Sequence, residues 1–250
     1  MNWLQKPIKS YEKRTQFDLL DLELVMEPGD ILLVEGNQRV SSAIKYLTQS
    51  TWSHAAFYLG KNNKFTDGMG GGSILIESDL KNGVTTIPLS NYESFNTRIC
   101  RPIGLPADEK EKVINFMIKS IGLDYDRKNI LDLMRYLLPR PPVPERFRRR
   151  MIALGSGTPS KVICSTLIAK AFQSVNYPIL PIIQKERTIL EEGLYRGIKH
   201  SRFIEKEYLH IRHHSLFVPR DFDLSPYFST IKPTIEKGFN YKNLPIKGFD

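Results

Sequence analysis

Two cysteines occur in the 250 residues, and only one has a sequence setting suited to chemistry. Cys164 is followed by Leu167, Ile168, Ala171, Phe172 and Val175 at three- and four-residue intervals, the spacing of one helical face, and preceded by Pro159 as a stop and Ser160 as a cap. A thiol in a helix's first turn meets unpaired backbone N–H groups and the positive end of the helix dipole. Both favour the thiolate, the nucleophilic form. The backbone N–H groups of Cys164 and Ser165 are candidate donors to an oxyanion. Free cysteine is also commonly buried, so Cys164 taken alone reads as a packed core thiol, the first residue of a core-facing stripe. Cys100, in Thr97-Arg-Ile-Cys-Arg101, has a strand pattern with nothing to activate it and reads as structural.

A base for Cys164 must come from elsewhere. His54 is the only histidine before residue 200. It opens the apolar run His54–Leu59, which reads as a strand, and Ser73–Glu77 reads as a second strand beyond the glycine-rich stretch 68–72. If the two pair as an antiparallel hairpin with Leu59 opposite Gly72, the same register sets Glu77 directly across from His54 on one face. A carboxylate beside an imidazole fixes its tautomer and raises its basicity. His210, His213 and His214 lack carboxylate or cysteine companions at ligand spacing, and no structural-zinc quartet is present, so neither a metal nor a cofactor is expected.

The elements that position these residues are short. Residues 1–26 read as a helical lead-in, Asp30–Val34 as a buried strand after Pro28-Gly29, and 39–49 as an amphipathic helix. Val84–Ile87 and Thr97–Arg101 read as further strands, Ala107–Ile121 and Asn129–Leu138 as helices. The class expected is α+β, a small antiparallel sheet or half-barrel packed against helices in a single domain. Pro139–Pro144 cannot continue a helix, so 139–159 reads as a Pro/Arg-rich insertion or lid. The tail 200–250 reads as a C-terminal extension wrapping the surface.

In order and spacing, several blocks resemble the permuted papain-like amidases of the YaeF/YiiX type, relatives of the NlpC-like cysteine peptidases and of the lecithin:retinol acyltransferase group. The blocks are Pro28–Val34, Ile44–Ser50, Trp52–Tyr58, Ile76-Glu77-Ser78, Gly83–Leu89, Gly122–Asp126 and Ile163-Cys164-Ser165. The resemblance spans about residues 28–180. It implies a circularly permuted papain-like fold, a catalytic set of Cys164, His54 and Glu77, Ser53 and Tyr125 along the substrate cleft, and cleavage of an amide or ester through a thioester. It does not fix the substrate, which can be a small amide, a peptide or a lipid. Two other readings stand beside a soluble amidase: a lipid-directed acyltransferase or lipase at a membrane surface, and a non-catalytic binding protein on the same fold.

Composition bounds the partners. The net charge is +9, and residues 140–150 hold five arginines against one glutamate. Arg146, Arg148, Arg149 and Arg150 can face an anionic membrane or form a solvated basic loop. No zinc finger or RNP-like aromatic pattern accompanies them, so nucleic acid is not expected. Residues 1–17 lack the apolar core of a signal peptide, and no run approaches the roughly 18 apolar residues of a membrane span. A cytoplasmic protein is the expectation, with specialised secretion left open.

Overall fold

Residues 11–14, 18–67, 71–79, 82–123, 164–195, 198–240 and 242 are described by a computed structural model. Its centre is β1 (Ile31–Glu35), an apolar run without alternation, buried at all five positions. Such a strand must be covered on both faces. Ile31 and Leu33 join one core cluster, while Leu32 and Val34 join another on the opposite face. β2 (His54–Lys61) repeats the division, with Ala55, Phe57 and Leu59 in the first cluster and Ala56 and Tyr58 in the second.

Around β1 the strands β3 (Ser73–Asp79), β4 (Gly83–Pro88), β5 (Asn96–Pro102) and β8 (Phe228–Ile231) build a six-stranded sheet. Its order is β4-β3-β2-β1-β5-β8, and every pairing is antiparallel. The first face is covered by α3 (Ala107–Lys119) and α4 (Cys164–Gln173), through Val113, Ile114 and Met117 and through Leu167, Ile168, Ala171 and Phe172. The second is covered by Leu22 of α1 (Leu19–Val25), which begins at an Asp18–Asp21 capping box. The class is α+β, as expected. The helix expected over 39–49 is α2 (Arg39–Thr48). The helix expected over 129–138 and the 139–159 insertion lie outside the described residues.

The C-terminal segment corrects the sequence reading. It does not merely wrap the surface. Phe217, Phe222 and Phe228 are buried in the first core cluster, and β8 pairs with β5 through Ile99↔Ile231 and Pro102↔Phe228. Phe222 lies on α5 (Pro219–Leu224), ahead of a short α6 (Pro233–Glu236). Phe228 packs its ring against Phe172, Tyr177 and Phe222 at centroid distances of 5.2, 5.6 and 5.6 Å. Between α4 and this segment, β6 (Ile182–Tyr195) and β7 (Ile198–His210) form a separate two-stranded ribbon that the sequence reading did not foresee.

Candidate active site

Cys164 is the first residue of α4, a helix whose residues 164–169, 171 and 172 are all buried. The apolar face that follows the thiol seats the helix on the sheet and fixes where its first turn ends up. The thiol is 6% exposed, and the backbone N–H groups of Ala55 and Ser165 donate to its sulfur. Ser165 is anchored in turn, its hydroxyl donating to the Phe217 carbonyl at 2.8 Å. The tail therefore fixes the turn that carries the thiol.

His54 is the first residue of β2, at the sheet's end. Its approach is set by a tight corner. The Ser53 N–H donates to the Val34 carbonyl at 3.1 Å, and the Ser53 hydroxyl accepts from the Gly36 N–H at 2.9 Å. A Cβ at position 36 would fall within 2.8 Å of the Ser53 oxygen and nearer still to that of Ser41, so the corner requires glycine. Ser53 is buried and turned into this corner.

Glu77 reaches His54 by a different register from the one expected. The observed pairs are Phe57↔Ile76 and Tyr58↔Leu75, followed by a shift to Gly60↔Ile74 across a bulge. Gly60 has φ +111°, and its bulge takes up a residue between the strands. Continuing the Phe57↔Ile76 register puts Glu77 opposite Ala56, so His54 and Glu77 are diagonal neighbours rather than directly opposed. A slip of two residues preserves the face. Diagonal Cβ atoms lie about 7–8 Å apart, a gap that long side chains span. His54 Nε2 and Glu77 Oε2 are 2.8 Å apart.

With Nε2 engaged by the carboxylate, Nδ1 is the ring nitrogen left for the thiol, and His54 and Cys164 are hydrogen-bonded to each other. The electrostatics of the three groups are mutually consistent. Burial pushes the imidazole's pKa down, but the Cys164 charge, the bond to Cys164 and then Glu77 outweigh it, holding His54 well above its ordinary value. Burial pushes the thiol up, yet the His54 charge and hydrogen bonds from His54, Ala55 and Ser165 bring Cys164 below an ordinary cysteine. Glu77, also raised by burial, is drawn below the usual carboxylate range by His54 and then by Tyr92. The arrangement is a thiol, an imidazole and a carboxylate linked in series, with shifts in the direction that favours charge separation between Cys164 and His54.

Tyr92 is the member that sequence reasoning missed. It ends the 3₁₀ turn Leu89–Tyr92, which follows β4, and its hydroxyl donates to the same Glu77 oxygen that His54 engages. Nothing in the residue spacing signals it, because a non-repeating turn brings it back to β3. In chain order the site takes a histidine from a first strand, a carboxylate from a second and a cysteine from a later helix.

Residues 25–136 match the model of the permuted papain-like amidases, the YaeF/YiiX or C92 family. The resemblance read from the sequence is to this family, and the matched stretch includes His54, Glu77 and Tyr92 and ends before Cys164. A solved structure, that of the metalloprotein yiiX from Escherichia coli O157:H7, aligns over 82% of this chain and 96% of that one, at 15% identity and a TM-score of 0.48. No curated protein matches.

Tyr125, Arg146, Arg148, Arg149 and Arg150 lie outside the described residues. Cys100 is fully buried in the first core cluster, and burial pushes its thiol far up, with Asp223 adding to the rise. His213 and His214 stack on each other at 3.9 Å, and burial, His213 and Lys170 push His214 down to about 4. Among the described residues, no group of three or more His, Cys, Asp or Glu side chains could hold a metal ion. No helix among them is long and apolar enough to cross a membrane.

Proposed function

We propose that the protein is a thiol hydrolase of the amidase type, with Cys164 as nucleophile, His54 as acid and base, and Glu77 as the group that orients His54. The observation that carries this reading is the linked set of contacts, from Cys164 at the start of α4 to His54 and from His54 Nε2 to Glu77 Oε2 at 2.8 Å. The amidase family match over residues 25–136 supports it.

In the proposed sequence, the Cys164 sulfur attacks the carbonyl carbon of an amide or ester while its proton resides on His54. Negative charge develops on the carbonyl oxygen, and backbone N–H groups at the start of α4, those of Cys164 and Ser165, are the donors suited to it. In the free protein the Ser165 N–H is directed at the sulfur. It is therefore close to where the new bond forms. The imidazolium gives its proton to the leaving amine or alcohol, and a thioester remains on Cys164. His54 then takes a proton from water, hydroxide adds to the thioester, and the carboxylic acid leaves with the thiolate restored. Glu77 retains its charge throughout, stabilising the imidazolium.

A panel of small amides and esters, assayed with the parent protein and with Cys164→Ala, tests this reading. Turnover of at least one member that disappears in Cys164→Ala supports it. Turnover that survives the substitution excludes Cys164 as nucleophile.

A further inference from the structure

We propose that Tyr92 is a positioning member of the site: by donating its hydroxyl to Glu77 Oε2, the oxygen that His54 Nε2 also engages, it fixes the carboxylate against the imidazole. The inference rests on the reading of Cys164, His54 and Glu77 as a working set.

Three observations lead to it. The first is that both donors share one oxygen, His54 Nε2 at 2.8 Å and the Tyr92 hydroxyl from the other side. A carboxylate on a strand can rotate about its last bond, and two donors on one oxygen define that rotation where one does not. The second is that Tyr92 is itself held. Its ring meets Phe95 edge-on at 5.7 Å, and Phe95 lies 6.0 Å from Tyr11, whose hydroxyl accepts the Asn96 N–H at 2.6 Å. The third is that the Tyr92 ring also lies 6.1 Å from the His54 imidazole, so it bounds the histidine as well as its partner.

The direction of the electrostatic effect follows from competition for the carboxylate. A phenol donating to Glu77 reduces the oxygen's affinity for a proton, as the lowered Glu77 value reflects. Removing that donor leaves a more basic carboxylate, which holds the imidazolium more strongly. The proton on His54 should then be lost at higher pH. The freed carboxylate is also less well aimed, so the pair should react more slowly at its best pH.

The test needs no substrate. In a Cys100→Ser background, the rate of Cys164 alkylation by iodoacetate is followed against pH. This anionic reagent favours thiolate beside imidazolium, so the parent should give a bell, rising as the thiolate forms and falling as His54 deprotonates. Tyr92→Phe should move the falling limb to higher pH and lower the maximum several-fold. Glu77→Gln should move the same limb to lower pH, and adding Tyr92→Phe to Glu77→Gln should shift it no further, because the phenol acts only through the carboxylate. A role confined to packing would move neither limb. Unchanged limbs in Tyr92→Phe with a bell-shaped parent overturn the role of Tyr92 alone, as does a further shift in the double variant. A parent that titrates like a free thiol, with no bell, overturns Tyr92 and the underlying three-residue reading together.

Discussion

The thiol at 164 gains its character from His54 and from the Ala55 and Ser165 N–H groups, and His54 in turn from Glu77. The histidine begins β2, the carboxylate is on β3, and the Ala55 N–H comes from the same strand end as the histidine. Their contributions are unequal in kind. Replacing Cys164 removes the bond-forming atom, whereas replacing Glu77 leaves a nucleophile with a poorly directed base. Turnover on any substrate that requires Cys164 should therefore fall about 10²- to 10⁴-fold in Glu77→Gln, and to background in Cys164→Ala. Steady-state kinetics of the two variants checks the order, and full activity in Glu77→Gln would remove the carboxylate from the site. The pH dependence has a definite sign. His54 is held above its ordinary value, partly by Glu77, so the alkaline limb of turnover should lie above the ordinary histidine range and move down in Glu77→Gln. A pH–rate profile of the two proteins reads this directly.

At the scale of elements, the sheet carries the site and the tail holds the thiol's turn in place. Phe228 on β8 packs among three aromatic rings of the core, so Phe228→Ala should cost about 3–5 kcal/mol of stability, measured by denaturant unfolding. A change below about 0.5 kcal/mol would mean the tail is surface wrapping after all. The strands of the main sheet up to β5 are legible in the sequence, since Pro28-Gly29, Gly36, Gly60 and the glycines near 70 punctuate apolar runs. The shared face of His54 and Glu77 is expected from the sequence, and the structure reaches it through the bulge, which turns an odd offset at the loop into an even one. Their exact opposition is not found, because the pairs nearest the loop, Gly60↔Ile74 and Lys61↔Ser73, sit three residues off the expected register and the bulge recovers one of the three, neither of which composition reveals. The tail reads as surface because its core residues fall in short apolar islands, Leu216–Val218, Phe222 and Tyr227-Phe228, separated by polar residues and without periodic repetition. The β6–β7 ribbon stayed hidden for a related reason. Residues 184–187, Gln-Lys-Glu-Arg, are polar throughout, and 205–210 on the partner strand are all exposed, so no apolar face marks a strand.

For the molecule as a whole, the site joins two stretches that sequence similarity treats separately. The family match ends at residue 136, and the thiol comes 28 residues later. Between them lies the run with Arg146, Arg148, Arg149 and Arg150, in a chain of net charge +9. A membrane-facing role for those arginines predicts sedimentation with anionic vesicles at low salt. That binding should fade as the Debye length shrinks from about 10 Å at 0.1 M to about 3 Å at 1 M. It should be lost when all four become serine, while hydrolysis of a soluble amide persists. Absence of binding at low salt excludes the membrane-facing role.

On the proposed reading Cys164, unlike Cys100, is a thiolate activated by His54. The most direct measurement is limited alkylation with iodoacetamide near neutral pH, with each thiol quantified by peptide mass spectrometry in the parent and in His54→Ala. Cys100 is fully buried with its thiol pushed well up, whereas Cys164 is drawn down by the imidazolium. Cys164 should therefore label first in the parent and lose most of that advantage in His54→Ala. Equal labelling of the two cysteines, Cys100 labelling first, or a Cys164 rate indifferent to the loss of His54 would contradict the account.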